Sequence, residues 1–141
     1  MRLRASSHYK EGVTLLLLIE DDEAARKVVA CHFQKRGLDV VCHETGEAAL
    51  QWLLTGPGVD LVICDFGLPG MSGVQVVEAL RAQDATARVP VILCSSGRAS
   101  MLQDHALAIE SGADAFFQKP YPLKTIEEEA RRLLPAWVWA Q

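Results

Sequence analysis

The stretch Val59-Asp60-Leu61-Val62-Ile63-Cys64-Asp65-Phe66-Gly67-Leu68-Pro69-Gly70-Met71-Ser72-Gly73 decides how this chain is read. An apolar run over 59–64 ends on a carboxylate and passes into a loop rich in Gly. A short apolar run bounded by turn residues suits a strand buried on both faces, as in a parallel sheet. Similar runs lie at 14–19 and 90–94, and weaker strand patterns at 38–42 and 114–118.

Helical patterns fill the intervals. Ala24 to Lys35 follows an acidic first turn and stops at Gly37, a suitable C′ residue. Gly46 to Leu54 runs into the breaker Gly56-Pro57-Gly58. Ser72 to Ala82 sets Val74, Val77 and Leu80 on one face, and Ala99 to Glu110 ends before Gly112. Leu123 to Leu134 follows Pro120 and Pro122 and ends at Pro135. Alternating strands and helices predict an α/β fold: a doubly wound parallel sheet with right-handed crossovers and helices on both faces. Two strand orders are common for it, and one is 2-1-3-4-5. In that order strands one and three are neighbours at the switch point, where ligands bind beyond the carboxyl ends of the strands.

The 141 residues are one domain's worth. Residues 1–12 read as a loose arm, 13–134 as the folded unit and 135–141 as a short tail. Half the residues are hydrophobic and 23% are charged, an ordinary globular balance. A net charge of −4 argues against nucleic acid as the main partner. The basic N-terminus leads into Val13 to Ile19, a run too short to span a bilayer, and then into Glu20-Asp21-Asp22-Glu23, which no signal cleavage site resembles. No membrane segment is expected, and the cytoplasm is the default location. Cys31, Cys42, Cys64 and Cys94 form no C-x-x-C pair, and all four read as buried reduced thiols rather than a disulfide framework or a zinc site.

The strand ends carry the chemistry. Strand one ends in Glu20-Asp21-Asp22, strand three in Asp65, strand four in Ser95-Ser96 and strand five in Lys119-Pro120. Neighbouring strands lie about 4.8 Å apart, so Glu20, Asp21 and Asp65 should converge. Like charges this close raise one another's pKa unless neutralised. Mg²⁺ is the natural partner, with its preference for oxygen ligands and retained waters. Ser95 stands near enough to bond a phosphate oxygen, and the long side chain of Lys119 can bridge two strands. A carboxylate nucleophile, a divalent cation, a hydroxyl and an ammonium make a phosphoryl-transfer site, where catalysis is mostly positioning and charge stabilisation. Asp22 reads instead as a cap for the next helix.

Four motifs stand in order: Leu17-Leu18-Ile19-Glu20-Asp21-Asp22 with Arg26; Asp65 through Gly73; Val89-Pro90-Val91-Ile92-Leu93-Cys94-Ser95-Ser96; and Gly112-Ala113-Asp114 through Lys119-Pro120. Together they resemble the receiver domain of the bacterial two-component response regulators over residues 14–134. The resemblance implies a flavodoxin-like sheet of order 2-1-3-4-5 and a phosphorelay role. It implies Asp65 as phosphoacceptor, Glu20 and Asp21 as the acidic pair holding Mg²⁺, with Asp21 the direct ligand, and the Gly67 carbonyl as a further ligand. It makes Ser95 and Phe116 the switch residues and Lys119 the site's lysine, with a cis Lys119-Pro120 bond. It also implies that the domain catalyses its own phosphorylation and dephosphorylation, a sensor histidine kinase or histidine phosphotransfer protein as donor, and an output protein whose identity the residues do not tell.

Gly67 and Gly97 depart from the commonest pattern, which has larger side chains flanking the path of attacking water, and Phe116 stands where tyrosine is common. Phosphorylation is expected to draw Ser95 toward Asp65 and let Phe116 fill the space behind it. The fourth helix, fifth strand and fifth helix would then present a changed surface. With no output segment after 134, a stand-alone or excised receiver is expected. Trp137 and Trp139 are expected to pack back onto the domain, with a partner or dimer contact as the alternative. The competing readings are a pseudo-receiver acting only as an interaction module, a phosphatase of the haloacid dehalogenase type and a kinase. The intact acidic pair, Asp65, Ser95 and Lys119 oppose the first. The phosphatase lacks its D-x-D, and the kinase lacks its Gly-rich and H-R-D loops.

Overall fold

The computed structural model describes residues 13–96 and 101–139. The expected arm at 1–12, Gly97 and the start of the fourth helix at Ala99 fall outside them. Five parallel strands, β1 (Leu15–Ile19), β2 (Asp39–His43), β3 (Leu61–Asp65), β4 (Val91–Ser95) and β5 (Ala115–Gln118), form one sheet in the order β2-β1-β3-β4-β5. Five helices alternate with them: α1 (Glu23–Lys35), α2 (Gly46–Leu53), α3 (Gly73–Ala82), α4 (Met101–Ser111) and α5 (Leu123–Leu133). This is the expected α/β architecture and strand order.

Alternation along the strands divides the core in two. Leu15, Leu17, Ile19, Val62, Cys64, Val91 and Leu93 face one way, against Ala49 of α2, Val76, Val77 and Leu80 of α3 and Ala108 of α4. Leu16, Leu18, Leu61, Ile63, Ile92 and Cys94 face the other way, against Val29, Ala30 and Phe33 of α1 and Ile126 and Ala130 of α5. The central strands read as unbroken apolar runs because helices cover both faces. Each buried Leu or Ile contributes about 1.5–3 kcal/mol relative to exposure. In α3, Val76 takes the fully buried place beside Val77 and Leu80, and Val74 lies at the margin.

Local signals set the helix ends. Asp22 caps α1, its carboxylate accepting from the Ala25 N–H at 2.8 Å, and Gly37 follows with φ 93°. Ser72 and Gln75 form a capping box at the start of α3. Beyond α5 a 3₁₀ turn, Ala136–Trp139, lays Val138 and Trp139 on the second core, and the Arg131 guanidinium stacks 4.5 Å above the Trp139 ring.

The cysteines divide differently from the expectation. Cys64 and Cys94 are buried on the central strands, but Cys31 and Cys42 are exposed. Cys31 lies off the face of α1 that carries Val29, Ala30 and Phe33, and Cys42 lies on β2, an edge strand none of whose residues is fully buried.

Candidate functional site

The loop after β1 is held from both ends. The Glu20 N–H donates to the His43 carbonyl at 3.0 Å, so the β1–β2 ladder extends one residue past the strand. Arg26, on the first turns of α1, donates to the Glu20 carbonyl at 2.9 Å. This leaves the Glu20 carboxylate buried and the Asp21 carboxylate exposed. Asp65 closes β3 in a buried position, and the following Phe66 N–H donates to the Cys94 carbonyl at 2.7 Å. One carboxylate oxygen from each of Glu20, Asp21 and Asp65 falls within 4.8 Å of the others.

Lys119 follows β5, and its N–H donates to the Ser95 carbonyl at 2.7 Å. The Lys119-Pro120 bond is cis. The lysine side chain crosses the width of β4 to put Nζ 2.5 Å from Glu20 Oε1 and 3.8 Å from Asp65 Oδ1. Ser95 ends β4 and is buried, one residue beyond Cys94, the register partner of Asp65.

Burial raises the Asp65 pKa above the usual carboxylate value. Lys119 and an N–H from Gly67 oppose the shift, while Glu20 and Asp21 add to it. Burial works against the Lys119 ammonium, but its bond to Glu20 and the charges of Asp65 and Glu20 outweigh that and raise its pKa. Three carboxylates face one ammonium, which leaves an excess of negative charge. Asp65 Oδ1 is buried with no hydrogen-bond partner. A hard divalent cation fits this set: the donors are all oxygen, the charge is unbalanced, and an inward carboxylate oxygen is unsatisfied. Among the described residues this is the one such cluster of His, Cys, Asp and Glu.

Two features of the β3–α3 loop escaped the sequence reading. A Cβ on Gly73 would lie 2.5 Å from the Asp65 carbonyl oxygen and 2.8 Å from the Phe66 Cα. The loop therefore folds back onto the backbone of Asp65 through a residue without a side chain, and the Gly73 N–H donates to the Phe66 carbonyl at 2.9 Å. Gly70, at φ 71°, and Met71 meet the Glu47 carboxylate, which accepts from the Met71 N–H at 3.2 Å. Glycines in a P-G-M-S-G stretch signal a turn, but not which backbone they approach. Gly67 is the opposite case, since a Cβ there would meet nothing within 4 Å. Phe116, half-buried on β5, meets the Phe66 ring edge to face at 5.7 Å and the His105 ring at 5.5 Å.

Comparisons with known proteins identify the family and the fold. The family model for the response regulator receiver domain matches residues 16–131. The transcriptional activator protein PfeR of Pseudomonas aeruginosa is 34% identical over 128 residues, which are 91% of this chain and 40% of PfeR. The chain spans about half the length, or less, of the curated relatives it matches. In fold it is similar to the chemotaxis protein CheY4 of Vibrio cholerae, with a TM-score of 0.79 at 23% identity over 87% of this chain and all of that one. It is also similar to the receiver domain of the sensor histidine kinase PA1611 of Pseudomonas aeruginosa, a structure with a magnesium ion coordinated in its active-site cleft. There the TM-score is 0.77 at 21% identity, covering 86% of this chain and 98% of that one. The family match covers most of the chain, and the protein belongs to the response regulator receiver domains of two-component signal transduction.

Proposed function

We propose that Asp65 accepts a phosphoryl group from a phosphohistidine on a sensor histidine kinase or a histidine phosphotransfer protein. The observation that carries this is the buried, unpartnered Oδ1 of Asp65, set among the carboxylates of Glu20 and Asp21 and 3.8 Å from the Lys119 ammonium. In the reaction an Asp65 carboxylate oxygen attacks phosphorus, an O–P bond forms, the P–N bond breaks, and the imidazole departs with the bonding pair. Asp65 must be ionised to attack, and the Lys119 charge favours that form against the effect of burial. Lys119 and the Ser95 hydroxyl are suited to stabilise charge on the phosphoryl oxygens.

Glu20, Asp21, Asp65 and the Gly67 carbonyl would hold Mg²⁺, which supplies neutralising charge and orients the phosphoryl oxygens when bound. Ser95 and Phe116 would then bias the surface of α4, β5 and α5 toward an output partner or a second copy of the chain. Residues 13–134 form the receiver unit, working in the cytoplasm; among the described residues no helix is long and apolar enough to cross a membrane. The test is transfer of labelled phosphate from acetyl phosphate or a phosphorylated kinase. Wild type takes label only with Mg²⁺, and Asp65→Asn takes none; label retained by Asp65→Asn would exclude Asp65.

A further inference from the structure

Three rings stand in series between the phosphoryl site and the outer face of α4. Phe66 directly follows Asp65 and packs edge to face against Phe116, with centroids 5.7 Å apart and planes at 83°. Phe116 in turn meets His105, a solvent-exposed residue of α4, at 5.5 Å. Phe116 lies opposite Leu93 in the β4–β5 register. Alternation puts Ser95, two residues on, on the same face of the sheet as Leu93 and Phe116. Both ring contacts belong to the half-buried position that Phe116 holds here.

We infer that His105 is a positioning residue for Phe116, holding its ring in the resting position and so opposing the phosphoryl-dependent state. The inference rests on Asp65 as phosphoacceptor and Phe116 as the responding side chain. Edge-to-face and tilted ring contacts are attractive beyond the area they bury. A ring that turns toward Ser95 gives up the His105 contact, so this exposed residue weights the equilibrium against the turned state. Removing the imidazole shifts the population toward that state, and a ligand that selects it binds more tightly by the same factor.

The experiment titrates the full chain with beryllofluoride and Mg²⁺ by calorimetry, and records ¹⁹F spectra of fluorophenylalanine-labelled protein without ligand. His105→Ala is expected to bind about three- to tenfold more tightly, the range of one aromatic contact. It is also expected to shift the Phe116 resonance. His105→Phe keeps a ring and should stay within about twofold of wild type. If His105→Ala lowers only the melting temperature, leaving affinity and resonance unchanged, or if it weakens binding, the inference is overturned. If wild type itself takes up no beryllofluoride, the reading of Asp65 falls and the inference falls with it.

Discussion

Lys119 Nζ is bonded to Glu20 Oε1 at 2.5 Å, while the nearest oxygen of Asp65 stands at 3.8 Å. The ammonium thus engages one member of the acidic pair and leaves Asp65 Oδ1 without a hydrogen bond. A lysine just past the end of β5 and a glutamate just past the end of β1 are tied across β3 and β4, above the sheet's carboxyl edge.

Replacing Lys119 by methionine keeps much of the volume and removes the charge. Phosphorylation by acetyl phosphate should slow by about 100-fold, the usual effect of losing one donor to developing charge. Because the Lys119 pKa is raised, its stabilisation is fully present below the unfolded lysine value, about 10.4, and is lost as pH climbs through the higher folded value. Thermal melts of wild type and Lys119→Met should therefore converge only in strong alkali. Convergence near neutrality would contradict the ion pair.

Asp65 has the opposite effect on stability when no metal is bound. A raised carboxylate pKa contributes most below the unfolded value, about 3.9, and that contribution is lost as pH rises through the folded value. At neutral pH without divalent ions, Asp65→Asn should therefore melt a few degrees higher than wild type. Saturating Mg²⁺ should reverse the order: at a hundred times Kd it stabilises wild type by about 2.7 kcal/mol and the variant by much less. A lower melting point for metal-free Asp65→Asn would contradict this account.

Gly73 and Gly67 should behave oppositely on substitution by alanine. In Gly73→Ala the Cβ meets backbone atoms that cannot step aside, and we expect a loss of about 1–3 kcal/mol with weaker Mg²⁺ binding. In Gly67→Ala the Cβ meets open space, so stability should stay within about 0.5 kcal/mol. Any change in the lifetime of phosphorylated Gly67→Ala then reports on water at the site. Denaturant titrations of the two variants decide the matter, and equal losses would contradict it.

Glu127 joins α5 to α1. Its half-buried carboxylate accepts from Arg131 at 2.8 Å and Arg36 at 2.9 Å, with His32 at 2.7 Å. Burial raises its pKa, but these three bonds outweigh that and lower it. The stabilisation is therefore present above the unfolded glutamate value, about 4.3, and lost as pH falls through the lowered folded value. Glu127→Gln should cost about 1–2 kcal/mol at neutral pH and approach wild type near pH 3. A difference that persists in acid would point to packing instead.

Much of this protein was legible because its signals are local. Apolar runs at 14–19, 59–64 and 90–94 mark central strands, since only a doubly covered strand can be apolar at every position. Strand ends then place Glu20, Asp21, Asp65, Ser95 and Lys119 along one edge whatever the loop details, and Asp22 reads as a cap from its place before α1.

What the tertiary structure alone decided depends on how elements approach one another. Which carboxylate Lys119 chooses is set by the path of its side chain over β4. The need for glycine at 73 comes from a loop returning to the backbone of Asp65. Cys31 and Cys42 are exposed because of a helix rotation and an edge position that their apolar neighbours do not encode. His105 meets Phe116 because α4 packs against β5, which brings an exposed helix residue up to the strand's ring. Contacts between residues distant in the chain follow from packing, and packing is a property of the whole core rather than of any segment of it.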